Sequence, residues 1–409
     1  MKCRHCAANL SINFIDLGTA PHSNAYLTSE TRCAPEKWFP LKIMVCSACW
    51  LVQTEDYSDS VELFSENYAY FSSYSSTWLS HAEHFVKDMT SRFNLNASNN
   101  VVEIAANDGY LLQYVKKAGI PCLGVEPTKS AASVARQKGI HIVESFFGVQ
   151  LAQKLSNDGK HADLIVANNV LAHVPDIDDF VCGFPLLLKS NGIATFEFPH
   201  LFQLVLQNQF DTIYHEHYSY LSLTTVNRIF EKNGLLVFDV EILSTHGGSL
   251  RVFACRKDTG LYGQSKSVFE LLSLEDSTGM TTVDYYKDFQ GRANKVKNDF
   301  LAFLIDAWKR GKKVIGYGAA AKGNTLLNYA GARSDLISFV VDKSPAKQGK
   351  YLPGSRIPIV DESHVRAARP DYVVILPWNL KEEIMTQLSY IKGWGGKFVT
   401  AVPQLKEWE

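Results

Sequence analysis

The sequence has no surplus of charge, no membrane-length apolar run and no short internal repeat. Lys and Arg number 41 against 42 Asp and Glu, a formal charge of −1. Proteins whose main work is gripping phosphate backbones are as a rule basic, so the balance argues against that class first. No apolar stretch approaches the roughly 18–20 residues that a bilayer span requires. Met1-Lys2-Cys3-Arg4-His5-Cys6 lacks the apolar core of a secretory leader. Disorder is disfavoured too, with 46% hydrophobic and 20% charged residues. These absences predict a cytoplasmic protein with neither a membrane nor a nucleic-acid partner. Its eight cysteines are then expected as thiols or metal ligands rather than as a disulfide framework.

At 409 residues the chain exceeds one ordinary core, and its pattern suggests four stretches. Residues 1–66 carry five of the eight cysteines and short strands such as Phe39–Val45. So small a module has little core of its own and needs a staple. Residues 67–258 open on an aromatic, hydroxyl-rich segment and a helical period through Leu79, His81, Phe85, Met89 and Phe93. Short apolar runs (Val101–Ile104, Leu123–Val125, Leu164–Val166, Ile193–Phe196) then alternate with helical patterns, which implies a mainly parallel sheet. Leu235–Phe238 and Leu250–Ala254 read as a closing pair of strands. Residues 259–310 suggest linking helices, and 311–409 a second α/β unit with strands at Lys312–Ile315, Phe339–Val341 and Tyr372–Leu376.

Cys3-x-x-Cys6 and Cys46-x-x-Cys49 are two knuckles that deliver four thiolates to one tetrahedral zinc. Thirty-nine residues separate the pairs, a span that a hairpin and loop can close. Four sulfurs would fill the site, so the expected zinc is structural rather than catalytic.

The strongest chemical signal is Val101-Val-Glu103-Ile-Ala105-Ala-Asn107-Asp108-Gly109. A strand ends in small residues, turns and opens a helix, letting backbone approach a ligand at the carboxyl end of a sheet. The loop is not G-x-G-x-x-G, which disfavours a dinucleotide. Glu126 ends the next strand, where an acid can accept hydrogen bonds from both hydroxyls of a ribose. Asn168, Asn169 and His173 follow the apolar run at Leu164–Val166. These elements in this order resemble a class I S-adenosylmethionine-dependent methyltransferase. The resemblance implies that the loop of Glu103, Ala105, Asn107 and Gly109 cups the methionine half. It gives Glu126 the ribose, and sets Asn168 and Asn169 beside the reacting methyl.

Tyr214-His215-Glu216-His217-Tyr218-Ser-Tyr220 packs two histidines, a carboxylate and three tyrosines into seven residues. A metal site is disfavoured because side chains at i and i+2 diverge. Acid–base chemistry fits better, since imidazole titrates near neutrality and an adjacent carboxylate can orient it. An ordinary polar loop is the alternative. Thr245-His246-Gly247-Gly248-Ser249 could bind a hydroxylated ligand or be a plain turn. In Gly316-Tyr-Gly318-Ala-Ala-Ala-Lys322-Gly-Asn324, the turn amides could face a diphosphate with Lys322 adding charge. The glycines could equally serve tight helix–strand packing.

Together the paired C-x-x-C module, the cofactor loop, Tyr-His-Glu-His-Tyr, His-Gly-Gly-Ser and the C-terminal glycine turn resemble the sugar C-methyltransferases over essentially the whole chain. That family acts on nucleotide-linked 4-keto-6-deoxyhexoses; its members include the tetronitrose and mycarose 3-C-methyltransferases. The resemblance implies an α/β architecture: a zinc module, a class I methyltransferase domain and a second Rossmann-like domain. It implies S-adenosylmethionine and structural zinc as cofactors, and a dTDP- or GDP-linked 4-keto-6-deoxysugar as partner of a monomer. His217 is the implied base with Glu216 beside it. Tyr70 and His173 are candidates to stabilise the enolate, and Tyr68, Tyr214, Tyr218, His246, Gly247, Lys322 and Asn324 to line the sugar nucleotide. C3 is favoured over C5 as the methylated carbon; an O- or N-methyltransferase is the nearer rival, and a zinc-bearing binding module the remoter one. One departure stands out: Ala105 occupies a position where many relatives have glycine.

Overall fold

The computed structural model describes residues 1–55, 57 and 71–409. Tyr68 and Tyr70 therefore lie outside the described residues. The chain forms two compact units from interleaved segments: Met1–Ser11, Val45–Leu201 and Tyr218–Thr282 in the first, and Ile12–Met44, Phe202–His217 and Val283–Glu409 in the second. These units cut across the linear stretches read from the sequence. Residues 12–44 cluster with the C-terminal segment, and the span 259–310 is divided between the two. Among the described residues no helix is long and apolar enough to cross a membrane.

In the first unit, β3 (Val52–Thr54) pairs antiparallel with β9 (Ser219–Tyr220). The core is a seven-stranded sheet of β4 (Val101–Ile104), β5 (Cys122–Val125), β6 (Ile142–Val143), β7 (Ala162–Asn168), β8 (Leu188–Pro199), β10 (Leu235–Leu243) and β11 (Ser249–Arg256). Their order is β10-β11-β8-β7-β4-β5-β6. All neighbours are parallel except β11, which runs against both β8 and β10. This reversed closing hairpin is the strand order of the class I methyltransferase fold. Every residue of β4 is buried, Glu103 included, as expected of a parallel strand covered on both faces. The helix Ser76–Arg92 starts where the Ser75 side chain accepts the Trp78 N–H at 3.2 Å. It buries Trp78, Ala82, Phe85, Val86 and Met89. Leu79, His81 and Phe93, counted in its apolar period from sequence, are only partly buried, and His81 has polar work described below.

The second unit contains β1 (Ile12–Ala20), paired with β2 (Phe39–Val45). Phe14 on β1 stacks on Phe289 at 4.5 Å and meets Tyr286 edge-on at 5.6 Å. This apolar anchoring to the helix Phe289–Lys309 puts residues 12–44 in the second core. Its sheet runs β14-β13-β12-β15-β16-β17, built of β12 (Val314–Tyr317), β13 (Val340–Val341), β14 (Ile359–Val360), β15 (Tyr372–Ile375), β16 (Lys397–Thr400) and β17 (Lys406–Trp408). Only β17 is antiparallel to its neighbour. The strand order reverses beside β12, so the glycine turn after it lies at the topological switch point, the usual place for a ligand.

Candidate active site

The four cysteines of the first unit converge: the sulfurs of Cys3, Cys6, Cys46 and Cys49 all lie within 4.8 Å of one another. Cys3 Sγ is 3.6 Å from Cys49 Sγ and Cys6 Sγ 3.5 Å from Cys46 Sγ. A tetrahedral ion with bonds of about 2.3 Å separates its sulfurs by roughly 3.8 Å, so the set fits zinc. The knuckles are alike in backbone. Ala7 and Trp50, each following a second cysteine, have φ of +59° and +65°. Ala7 N–H donates to the Cys3 carbonyl at 3.0 Å and Trp50 N–H to that of Cys46 at 2.9 Å. His5 is no ligand in this arrangement: its Nδ1 pairs with Asp178 at 2.8 Å.

At the carboxyl end of β4 the chain takes three left-handed residues in alternation, Ala105, Asn107 and Gly109, with φ of +58°, +48° and +75°. Left-handed backbone costs a residue with a Cβ about 1–2 kcal/mol, so its retention at two such positions marks a loop shaped for a ligand. Ala105 holds a left-handed backbone that a glycine would take without strain, and nothing in the structure explains the alanine. A Cβ on Gly109 would come within 2.4 Å of Ile140 Cδ1 and 3.2 Å of Ala135 Cβ, so that position admits glycine alone without rearrangement. Glu126, at the end of β5, accepts the Asn107 N–H at 2.9 Å and the Thr128 N–H at 2.8 Å. It thereby ties the loop to the neighbouring strand. Burial pushes its carboxyl above the usual range, against the pull of the Thr128 and Asn107 hydrogen bonds. Glu103 is buried outright; burial drives its carboxyl well up, partly opposed by Tyr110.

Ser72 N–H reaches Asn107 Oδ1 at 2.9 Å and Ser73 N–H reaches Asp108 Oδ2 at 3.2 Å, so the segment leading into the helix Ser76–Arg92 closes on the loop. Asp108 Oδ1, Asn168 Oδ1 and Asn169 Nδ2 are buried with no hydrogen-bond partner among the described residues. Buried polar atoms without partners are uncommon. Here they cluster around the carboxyl ends of β4 and β7, as a ligand rich in hydroxyl, amino and carboxylate groups would require. Asn169 is itself left-handed, at φ +53°.

The Tyr-His-Glu-His-Tyr segment belongs to the second unit through His217. Thr325, on the helix Ala321–Ala330, donates to the Ile213 carbonyl at 2.8 Å and pins the segment. His217 Nδ1 lies 2.8 Å from the Thr212 carbonyl. A carbonyl only accepts, so Nδ1 carries a proton, and in the neutral ring Nε2 is the basic nitrogen. The Tyr214 ring lies 4.0 Å from the imidazole, centroid to centroid. Sequence assigned the orienting role to the neighbouring carboxylate. In the structure the Thr212 carbonyl fixes the tautomer, while Glu216 accepts from Asn24 Nδ2 at 3.1 and 3.2 Å. Glu216 is 1% exposed. Burial lifts its carboxyl to about 7, the Asn24 hydrogen bonds pulling the other way. His215 turns to Pro40 and packs against Phe39 and His22. Burial and the charge of His22 bring it down to about 4, so it is a neutral packing residue.

The other sequence candidates are dispersed. His173, in the first unit, follows Ala172, whose carbonyl accepts the Tyr218 N–H at 2.8 Å. Tyr218 is 2% exposed under Arg4, a packing position rather than a lining one. His246 (φ +53°) and Gly247 (φ +90°) form the turn before β11, and the His246 ring lies 4.9 Å from Trp78. Lys322 bonds Asn379 at 2.8 Å over the Trp378 ring; burial lowers its ammonium and Asp211 raises it. Asn324 Nδ2 is committed to the Ser23 carbonyl at 2.6 Å. The turn amides read as facing a diphosphate are likewise committed: Gly318 N–H to Val341, Ala319 N–H to Asp342 and Ala320 N–H to Gly318. A Cβ on Gly318 would sit 2.5 Å from Pro377 Cδ, so the glycine serves packing.

Sequence reasoning passed over a buried network in the first unit. Glu197, on β8, accepts from His81 Nε2 at 2.8 Å, Arg251 Nη2 at 3.0 Å and Thr245 Oγ1 at 2.9 Å. An isolated Glu in the apolar run Ile193–Phe198 was its signal. The first unit thus brings together four cysteines that could hold a metal and a loop with unpartnered buried polar atoms beside it, and the second holds an imidazole whose Nδ1 is bonded to a backbone carbonyl.

Three family models match the chain: "Putative zinc binding domain" over residues 3–64, "Methyltransferase domain" over 78–240 and "C-methyltransferase C-terminal domain" over 244–403. The C-methyltransferase NovU of Streptomyces niveus is 33% identical over 403 residues, covering 98% of this chain and 96% of its own length. A ubiquinone biosynthesis O-methyltransferase of Bartonella quintana is 25% identical over 97 residues, 23% of this chain and 38% of its own. Among solved structures, the PH0226 protein of Pyrococcus horikoshii matches 46% of this chain and 95% of its own at 14% identity and a TM-score of 0.39. With a full-length relative at that identity, matching domain models in order and the motifs in place, the chain belongs to the sugar C-methyltransferase family.

Proposed function

We propose that this C-methyltransferase moves the methyl of S-adenosylmethionine to C3 of a nucleoside-diphosphate 4-keto-6-deoxysugar, linked to dTDP or GDP. The observation that carries the reading is the fixed tautomer of His217, a base whose Nε2 lone pair is set by the Thr212 carbonyl. A carbon–carbon bond needs a carbon nucleophile, and a sugar C–H supplies one only beside a carbonyl. His217 Nε2 takes the C3 proton, and the electron pair of that C–H bond passes into an enolate whose charge rests on the 4-oxygen. Tyr214 packs the imidazole in place, and His173 and Tyr70 are the candidates to donate to the 4-oxygen as charge develops. When bound, S-adenosylmethionine supplies an electrophilic methyl on a sulfonium. The loop of Ala105, Asn107 and Gly109 would cradle its methionine half, Glu126 its ribose, and Asn168 and Asn169 the region of the methyl. The remaining work of the chain is alignment and exclusion of water, a large share of such barriers. Cys3, Cys6, Cys46 and Cys49 would hold a structural zinc with no place for substrate.

The test is NMR of dTDP-4-keto-6-deoxyglucose with the protein in deuterated water, with and without S-adenosylmethionine. Deuterium at C3, and with the cofactor a new methyl carbon at C3, is the expected result. Exchange at C5 moves the reaction to that carbon. Neither exchange nor methylation across a panel of 4-keto sugars, with the cofactor bound, overturns the sugar assignment in favour of O- or N-methyl transfer.

A further inference from the structure

A fully buried carboxyl beside a base stays ionised and aimed only if something holds it so, and for Glu216 that support comes from the segment that follows β1. Asn24 Nδ2 faces both Glu216 oxygens, at 3.1 and 3.2 Å. The segment carrying Asn24 is held at three points of the second unit. Asn324 donates to the Ser23 carbonyl at 2.6 Å. Leu27 exchanges backbone hydrogen bonds with Tyr351 at 3.0 and 2.8 Å. Tyr26 donates its hydroxyl hydrogen to the Ala319 carbonyl at 2.6 Å, while Asn24 Oδ1 lies 3.4 Å from the same hydroxyl. The Ala319 peptide is fixed on both sides, its carbonyl by Lys347 Nζ at 2.9 Å and its N–H by Asp342 at 2.8 Å. The turn amides that could have faced a diphosphate are thus spent on a rigid frame, and Tyr26 hangs from it.

We infer that Asn24 and Tyr26 are positioning residues of the methyl-transfer reaction, Asn24 clamping the Glu216 carboxylate and Tyr26 fixing Asn24 through the Ala319 carbonyl. The inference rests on the reading of Glu216 beside the base His217. An amide donating to both oxygens favours the ionised form, while burial favours the acid, so the clamp decides the proton count near neutrality. Among the described residues Tyr26 is a titratable side chain whose charge is coupled to that of Glu216, with Lys347 and Asp342 acting on Tyr26 in turn, and His217 adjoins Glu216 in sequence. Burial and Asn24 are the influences that dominate the Glu216 carboxyl.

The experiment follows Glu216 directly, in full-length protein labelled with δ-13C glutamate. The carboxyl resonance lost in Glu216→Gln is that of Glu216. It is expected to titrate near 7 in the parent. In Asn24→Ala the midpoint should rise by about one pH unit, a tenfold change in the ratio of ionised to protonated carboxyl. Asn24→Asp, which sets a second carboxylate against the first, should raise it further, and Tyr26→Phe less. The pH profile of deuterium entry into C3 of dTDP-4-keto-6-deoxyglucose should move with it, with S-adenosylmethionine affinity within about twofold of the parent. Thermal melts within a few degrees of the parent show that the variants fold, and Asn24→Ser replaces any that does not. A Glu216 resonance that stays put in every Asn24 variant overturns the clamp. A resonance that moves while the exchange profile does not overturns its role in the reaction. Normal exchange in Glu216→Gln, or no exchange by the parent with any 4-keto sugar, instead sinks the functional reading, and the titration still decides the contact.

Discussion

Replacing Glu197 tests whether the network around β8 is a charge site or a shape. Glu197 is wholly buried and accepts three hydrogen bonds: two on Oε2, from His81 and Arg251, and one on Oε1, from Thr245. In Glu197→Gln the amide oxygen can take the Oε2 position and keep both of its donors. The amide nitrogen then faces Thr245, whose hydroxyl rotates to accept. All three contacts survive and only the charge is lost, at a cost of about 1–2 kcal/mol. Glu197→Ala leaves Arg251 and His81 in a buried site with no acceptor on that side, at about 3–5 kcal/mol. For a cooperative unit of this size each kcal/mol moves the melting temperature by about 2–4 °C. Calorimetry should therefore show falls of roughly 4 °C for Gln and 12 °C for Ala. The two losses must also diverge with pH. Burial alone would raise the Glu197 carboxyl, but the His81 hydrogen bond and the charges of His81, Arg251 and His246 outweigh it and hold it below its ordinary 4.5. Its stabilisation is complete above that value and fades as pH falls through the depressed folded value. The gap between parent and Glu197→Gln should thus narrow as pH falls below the ordinary 4.5 of the carboxyl. Equal losses for Gln and Ala, or a gap that widens as pH falls below about 4.5, would refute the reasoning.

Three further outcomes follow from the same geometry. Cys46→Ser should reduce bound zinc from about one ion per chain to near none by atomic absorption, with early unfolding of the N-terminal segment under limited proteolysis. Glu126→Ala strips the acceptor from the Asn107 and Thr128 amides and the candidate ribose ligand together, so calorimetric affinity for S-adenosylmethionine should fall about tenfold or more. Ala105→Gly and Gly109→Ala should differ: strain relief and chain entropy nearly cancel in the first, leaving the melting temperature within about 2 °C. The second forces a methyl onto Ile140 and should cost about 1–3 kcal/mol.

Much of the architecture could be read from local pattern. β4, β7 and β12 are almost wholly buried, and such strands advertise themselves as short, mostly apolar runs. The closing pair at β10 and β11, the helix Lys129–Gln137 and the convergence of the four cysteines follow from spacing that one segment carries by itself. The loop from Glu103 to Gly109 was legible because small residues at the end of a parallel strand let the backbone itself meet a ligand. β6, β13 and β14 are two residues each, too short to hold a period, and β6 and β14 went unread.

What local pattern could not carry was partnership across hundreds of residues. Residues 12–44 look like the middle of a cysteine module, yet Phe14 belongs with Tyr286 and Phe289, because an aromatic on a nine-residue strand must bury itself somewhere and the knuckles offer too little core. The same displacement carries Asn24 to Glu216, 192 residues away in sequence, where its amide becomes the donor to a buried carboxylate. The neighbour of a base in sequence is an easy guess for its partner. In this chain the imidazole turned instead to a carbonyl five residues back, and the carboxylate to a distant amide. Adjacent side chains on an irregular segment point apart, so each finds its partner in whatever the fold packs against its own side. A motif such as Tyr-His-Glu-His-Tyr therefore names the groups that matter long before it says which of them touch.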